Sequence, residues 1–351
     1  MSVTENIFGL LPGGETVHSY TIKNAAGSAA VVIDYGAVLV SLCVPDRSGQ
    51  IKDVVLGYDD AASYTVNSCF FGAVIGPNGN RIADSRFVID GKEYSLCANE
   101  NENNLHSGPD GFEKKFWKAD ADPSGSAVRF TRTSPDGENG FPGNFDVSVT
   151  YELSEDNALS ITYEGISDQA TVANLTNHSY FNLNGEGSGQ ILGHELTIHA
   201  DAFTPVADGK SIPTGEIRPV KGTVMDFCTP HSIGERIDTP DEQLVFTGGY
   251  DHNFVCNGYE KGRIREIAAV EAKESGIRMV VSSDCPCVQL YAGNFIKEET
   301  GKNGHVYGKR DGLCLETQVE PNAVNTKGFH SPVIRAGEKY LSRTIYRFET
   351  F

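Results

Sequence analysis

Apolar residues in this chain recur with a period of two, in short runs broken by turn residues. That pattern constrains the fold more than any other feature. Phe145, Val147, Val149 and Tyr151 point one way, and after Ser154-Glu-Asp-Asn157 the chain resumes with Leu159, Ile161 and Tyr163. Alternation on both sides of a polar turn is the mark of a β-hairpin, because successive strand side chains face opposite sides of a sheet. Phe87-Val-Ile-Asp-Gly-Lys-Glu-Tyr94 carries Asp90-Gly91, the dipeptide favoured by tight type I′ turns. Further strands are expected at Ser19–Lys23, Ala30–Tyr35, Ala127–Thr133, Glu195–Ala200 and Arg343–Phe348. Ile264–Lys273 has some helical spacing, yet Glu274-Ser275-Gly276 followed by Ile277–Ser282 reads better as a hairpin. Residues 58–67 allow one short helical turn. The 38 glycines sit in turn dipeptides rather than in one linker. Many short strands with almost no helix predict an all-β fold, a large antiparallel β-sandwich. A length of 351 residues suggests two domains. The missing linker instead favours one sandwich domain over residues 1–351.

Charge removes several partners. Lys and Arg number 29 against 47 Asp and Glu, a net charge of −18. Nucleic-acid affinity comes from basic groups neutralising phosphates, so no nucleic acid and no anionic membrane surface is expected as a partner. With 39% hydrophobic and 22% charged residues the chain does not read as disordered. No basic region followed by an apolar run marks a signal peptide in Met1–Tyr20, and no apolar run approaches bilayer length. The eight cysteines are scattered, and Cys285-Pro-Cys287 lacks the second pair a zinc site needs. Reduced thiols in the cytoplasm are expected, with no metal and no cofactor, in a monomer or homodimer.

Four segments combine polar, ionisable and turn residues, and a fifth adds to them. In Gly76-Pro-Asn-Gly-Asn-Arg-Ile82 a turn of Gly and Asn holds Arg81 on a rim with its donors forward, or merely leaves it solvated. Asn101-Glu-Asn-Asn-Leu-His-Ser-Gly108 surrounds His106 with amides suited to reading hydroxyls. Nearby Trp117 serves equally as a sugar-stacking platform or as core. Alternation in Leu175-Thr-Asn-His-Ser-Tyr-Phe-Asn-Leu183 sends Thr176, His178, Tyr180 and Asn182 to one polar and aromatic face. A histidine there suits general acid–base work, although a lone histidine is more often structural. Glu316 follows the apolar Leu313-Cys-Leu stretch and is a candidate for a partly buried carboxylate, whereas Glu320, before Pro321, reads as rim or solvent. Gly248-Gly-Tyr-Asp-His-Asn-Phe254 adds Asp251 and His252 on a turn.

In this order the segments resemble the aldose 1-epimerase family, the galactose mutarotases. Asn78-Gly-Asn-Arg-Ile82, Asn103-Asn-Leu-His106, Thr176-Asn-His-Ser-Tyr-Phe-Asn182, Gly249-Tyr-Asp-His-Asn253 and Leu315-Glu-Thr-Gln318 carry the likeness. It extends over essentially the whole chain. The resemblance implies a large β-supersandwich, a monosaccharide substrate, His178 as acid and Glu316 as base. It also implies that Asn80, Arg81, His106 and Asp251 hold the substrate. Changing the anomer needs a proton taken from the C1 hydroxyl and one given to the ring oxygen, with no metal or redox step. Two departures stand out. Val319 and Glu320 replace the family's His and aromatic residue before Pro321, and Cys228 replaces the Arg of Asp-Phe-Arg. A hexose-6-phosphate epimerase of the same fold would want clustered Arg and Lys, and these segments supply only Arg81. A non-catalytic sugar-binding sandwich, or a glycoside hydrolase or lyase, are the remaining alternatives.

Overall fold

The computed structural model describes residues 1–351. Its largest sheet has nine antiparallel strands. In spatial order they are Lys118–Ala121, Ala127–Ser134, Phe145–Leu153, Ala158–Ser167, Lys339–Thr350, Ile277–Ser283, Arg265–Ala272, Glu195–Ile198 and His231–Ser232. The two hairpins expected from alternation form in register, with Val149 opposite Tyr163 and Ala269 opposite Val280. The strand reading of Ile264–Lys273 therefore holds. Asp90 and Gly91 have φ of 52° and 81°, the double positive φ of a type I′ turn, and join Arg86–Ile89 to Lys92–Ser95. Only two short α-helices occur, Ala61–Val66 and Glu242–Thr247. The first lies inside the expected helical turn and is capped by Asp60, whose side chain accepts from the Ser63 amide.

Two five-stranded antiparallel sheets complete the framework. One runs Ser2–Leu10, Thr16–Lys23, Ala29–Ile33, Leu39–Pro45, Ile51–Asp53. The other runs Arg218–Pro219, Ala202–Thr204, Asp251–Val255, Cys287–Tyr291, Cys314–Gln318. A cluster of 56 buried hydrophobic residues unites the inner faces of all three sheets. The nine-stranded sheet contributes Val149, Ile161, Val281 and Phe348, the first five-stranded sheet Ile22, Val32 and Leu42, and the second Phe254, Val288, Leu290 and Leu315.

The second five-stranded sheet positions the site, because its two faces differ. Phe254, Val288, Leu290 and Leu315 turn toward the core, and Thr317 Oγ1 hydrogen-bonds Thr344 Oγ1 of the nine-stranded sheet. By the period-two rule the intervening residues face the other way. Register lines them up in rows: Asp251 opposite Tyr291 opposite Cys314, then Asn253 opposite Gln289 opposite Glu316. The result is a buried, mostly polar floor.

Candidate active site

Segment 176–182 covers this floor, and backbone bonds hold it on both sides. Thr176–Asn177 pairs with Val74–Ile75. The His178 amide donates to Ala73 O at 2.9 Å, and Gly72 N donates to His178 O at 3.1 Å. Phe181 and Leu313 exchange two backbone bonds, which brings His178 over the strand that starts at Cys314. A second wall comes from Arg81–Ile82 pairing with Asn104–Leu105. Asn80 and His106 then meet: His106 N donates to Asn80 O at 3.0 Å, and Asn80 N donates to His106 Nδ1 at 3.1 Å. Gly79 packs closely here: a Cβ would stand 3.1 Å from Thr176 Cγ2 and 3.3 Å from Asn174 O, so these neighbours would have to give by a few tenths of an ångström. Phe70, Asn80, His106 and Ser107 all adopt left-handed φ, 59°, 61°, 54° and 60°. For Phe70 and His106 this is strain that the surrounding structure sustains, and strain of this kind gathers at functional sites.

These elements enclose a cavity of about 360 Å³. Asn80, Arg81, His106, His178, Asp251 and Glu316, the six candidates from the sequence, all line it. His178 Nε2 lies 3.7 Å from Glu316 Oε1, both side chains nearly inaccessible to water. Glu316 Oε2 is buried without a hydrogen-bond partner. Burial pushes the Glu316 carboxyl well above its ordinary value; Asp251 adds to this and Arg81 opposes it. Burial likewise pushes His178 down to about 4. Desolvation, helped by His178 and Arg81, holds His106 well below the usual imidazole value, so its ring is neutral. Because His106 Nδ1 accepts from the Asn80 amide, the ring proton sits on Nε2, a donor toward a substrate oxygen. Asp251 Oδ1 accepts from Gln289 Nε2 at 2.7 Å, and burial raises its carboxyl.

Several expectations need correction. Arg81 does not present all its donors, because Nε and Nη2 are bound to Glu100 at 2.6 and 2.8 Å. Of the two readings open for Trp117 the core one holds, since it packs edge-on against Phe112 and does not line the cavity. Glu320 is neither rim nor solvent. It is fully buried and accepts from the His330 amide at 3.0 Å while pairing with its ring. Glu316 is wholly rather than partly buried. Arg81 is not the only cation, since Lys297 also lines the mouth, beside Phe295 and Glu299. Of the polar face read in segment 175–183, His178 and Tyr180 reach the cavity, whereas Asn182 bonds Gly189 O and Asp311 O elsewhere. Tyr291 was missed as a site residue although it alternates with Gln289 on a strand, a signal that was available. Phe70 and Glu100 carried none.

Two sets of side chains bring three potential metal-ligand atoms together: His106, His178 and Glu316, and Cys287, Glu320 and His330. In the first, His106 has its lone pair on Nδ1 committed to an amide and a proton on Nε2. In the second, Glu320 already accepts from the His330 amide and pairs with its ring, and burial pushes the Cys287 thiol well above its ordinary value, so it keeps its proton. As arranged, neither presents three free lone pairs to an ion.

The β-sandwich with a buried imidazole–carboxylate pair in a polar cavity is that of a carbohydrate isomerase, as its relatives show. The chain belongs to the aldose 1-epimerase family, whose profile, described as Aldose 1-epimerase, matches residues 18–347. It is 43% identical over 349 residues to the galactose mutarotase of Homo sapiens, covering 99% of this chain and 98% of that one. It is 36% identical over 342 residues to the aldose 1-epimerase of Escherichia coli K12, covering 97% of each. The crystal structure of an aldose epimerase homologue from C. elegans superposes with a TM-score of 0.86 at 30% identity, covering 94% of this chain and 98% of that one.

Proposed function

We propose that the protein interconverts the α and β anomers of free aldohexoses, galactose or glucose, with Glu316 as base and His178 as acid. The observation that carries this reading is the 3.7 Å separation of His178 Nε2 and Glu316 Oε1 at the cavity floor. The C1 hydroxyl oxygen and the ring oxygen share carbon C1, so the groups that serve them must lie close together. Glu316 takes the hydroxyl proton as the C1–O5 bond breaks, and His178 delivers a proton to O5. Rotation about C1–C2 turns the carbonyl, and the same groups reverse their roles on closure. A retaining or inverting glycoside hydrolase works with two carboxyl groups flanking the bond, whereas the group paired with Glu316 here is an imidazole.

Asn80, Arg81, His106 and Asp251 hold the sugar hydroxyls. His106 does so as a neutral donor, and Asp251 as an acceptor braced by Gln289. A phosphorylated hexose fits less well, since Glu100 occupies Arg81 and Glu299 stands near Lys297 at the mouth. The main apolar cluster draws its members from Tyr20 through to Phe348, which supports one domain over the whole chain. Eight free thiols suit the cytoplasm, and a monomer or homodimer remains our reading of its assembly. No helix is long and apolar enough to cross a membrane. Polarimetry of freshly dissolved α-D-galactose and α-D-glucose tests the assignment: the rotation should decay faster with protein present. No acceleration with any common aldose overturns it.

A further inference from the structure

We infer that Cys314 is a positioning residue for His178: its sulfur accepts the Nδ1 proton and holds the ring with Nε2 free to exchange a proton with the substrate. The inference rests on the acid role given to His178 above and adds a partner to it. Cys314 Sγ lies 3.5 Å from His178 Nδ1, within hydrogen-bond reach for sulfur, and both side chains are buried. No other side chain hydrogen-bonds that nitrogen; the ring's one further contact of this kind is with the His178 backbone itself, which acts to raise its value. The remaining neighbours of the ring are aromatic: Phe70, His106, Tyr180 and Tyr291, with centroids 5.8, 5.2, 5.1 and 6.2 Å away. They confine the ring but do not choose its tautomer.

The geometry follows from strand alternation. Cys314 and Glu316 are two residues apart on one strand and so share a face. That strand therefore meets both ends of the imidazole, with sulfur at Nδ1 and carboxylate at Nε2. The His178 backbone is fixed independently by Ala73 and Gly72.

Proton accounting selects the direction of the sulfur contact. In ring opening Nε2 gives its proton to O5 while the C1–O5 electron pair moves to O5, and Glu316 takes the proton of the C1 hydroxyl. The imidazole left behind is neutral and must recover that same proton at Nε2 on closure, so its remaining proton has to stay on Nδ1. A partner that donated to Nδ1 would place the neutral ring's proton on Nε2 and block the cycle. A thiol is both weak donor and weak acceptor, so sulfur meets the requirement by accepting. It is also uncharged, since burial pushes the thiol well above its ordinary value. A neutral acceptor orients the ring without stabilising the imidazolium as a carboxylate would, which leaves the proton easy to give up.

The test uses ¹⁵N NMR of the imidazole together with kinetics. With His178 assigned by loss of its signals in His178→Asn, the neutral wild-type ring should be the Nδ1–H form. Cys314→Ala should shift it toward Nε2–H and lower kcat about tenfold, the size of one weak hydrogen bond, with KM little changed. Cys314→Ser, whose oxygen can also accept, should recover most of the loss. A wild-type ring found as Nε2–H overturns the inference without any variant. So does a Cys314→Ala protein that loses activity with the tautomer unchanged, or one that keeps full kcat. If the wild-type enzyme moved no anomers, the acid role would fall, but the spectrum would still decide whether sulfur holds Nδ1–H.

Discussion

At the scale of single residues, the proposed mechanism turns on one proton held between two buried groups, Glu316 and His178. Burial disfavours charge on both, raising Glu316 and lowering His178 to about 4, so the empty pair favours a protonated carboxyl beside a neutral imidazole. The proton must cross from Glu316 to His178 Nε2 before ring opening to give the carboxylate base and imidazolium acid of the proposed mechanism. Their titration belongs to the pair. Below about pH 4 a second proton arrives and no base remains. Above the raised carboxyl value the shared proton leaves and no acid remains. The profile of kcat/KM against pH should therefore be flat across neutrality, with its acid limb near 4 and its alkaline limb above the ordinary carboxylate range. An acid limb near the ordinary imidazole value of about 6.5 would sink this account. Glu316→Gln and His178→Asn should each lower kcat by roughly 10²–10⁴-fold, the usual worth of one acid–base group. Circular dichroism matching the wild type would show that chemistry rather than folding is lost. Activity within a few-fold of wild type in either variant would remove that residue from its role.

At the scale of elements, Glu320 shows how a departure in sequence becomes a local device. Burial is the largest single influence and acts to raise its carboxyl, but the hydrogen bonds from the His330 ring, the His330 amide and its own backbone, with the imidazole charge, together outweigh it and the value is lowered. The ring hydrogen bond also raises His330. The Glu320 contribution is fully present above the ordinary carboxyl value of 4.5 and fades as pH falls through its lowered folded value. The His330 contribution is fully present below 6.5 and fades as pH rises through its raised folded value. The stability gap between wild type and Glu320→Gln should thus be widest between pH 4.5 and 6.5. It should be about 1 kcal/mol or less, because the imidazole is 38% exposed and water screens it. Thermal melts across that range check this, and a gap that grows steadily toward pH 9 would contradict it. Glu320 also illustrates what a sequence hides. Its partner is ten residues away across a loop, so a carboxylate before a proline looked like surface. The hairpins were legible because alternation and turn residues are local. So were Glu316 and His178, which stand in motifs. The rows that join Asp251 to Cys314 and Asn253 to Glu316 were not, since they depend on the register of strands up to 63 residues apart. Trp117 stayed ambiguous for the same reason: only the packing of Phe112 decides that it belongs to the core.

At the scale of the whole molecule, the charge of −18 bears on how substrate arrives. A strongly acidic surface repels anions at long range and does nothing to a neutral sugar. The cations at the cavity do not reverse this, because Arg81 is bound to Glu100 and Lys297 shares the mouth with Glu299. For a free aldohexose, kcat/KM should therefore stay level as ionic strength rises from about 0.01 M to 0.5 M. Over that range the screening length shrinks from about 30 Å to a few Å, so long-range repulsion would be removed. A hexose phosphate, if turned over at all, should gain rate as salt screens the acidic surface. The two arms separate the substrate classes by a property of the whole surface, independently of which groups touch the sugar. A marked salt dependence with galactose would mean that charge takes part in binding a neutral ligand. A hexose phosphate whose rate falls with salt would mean that Lys297 governs the local field, and would return the phosphate reading to favour.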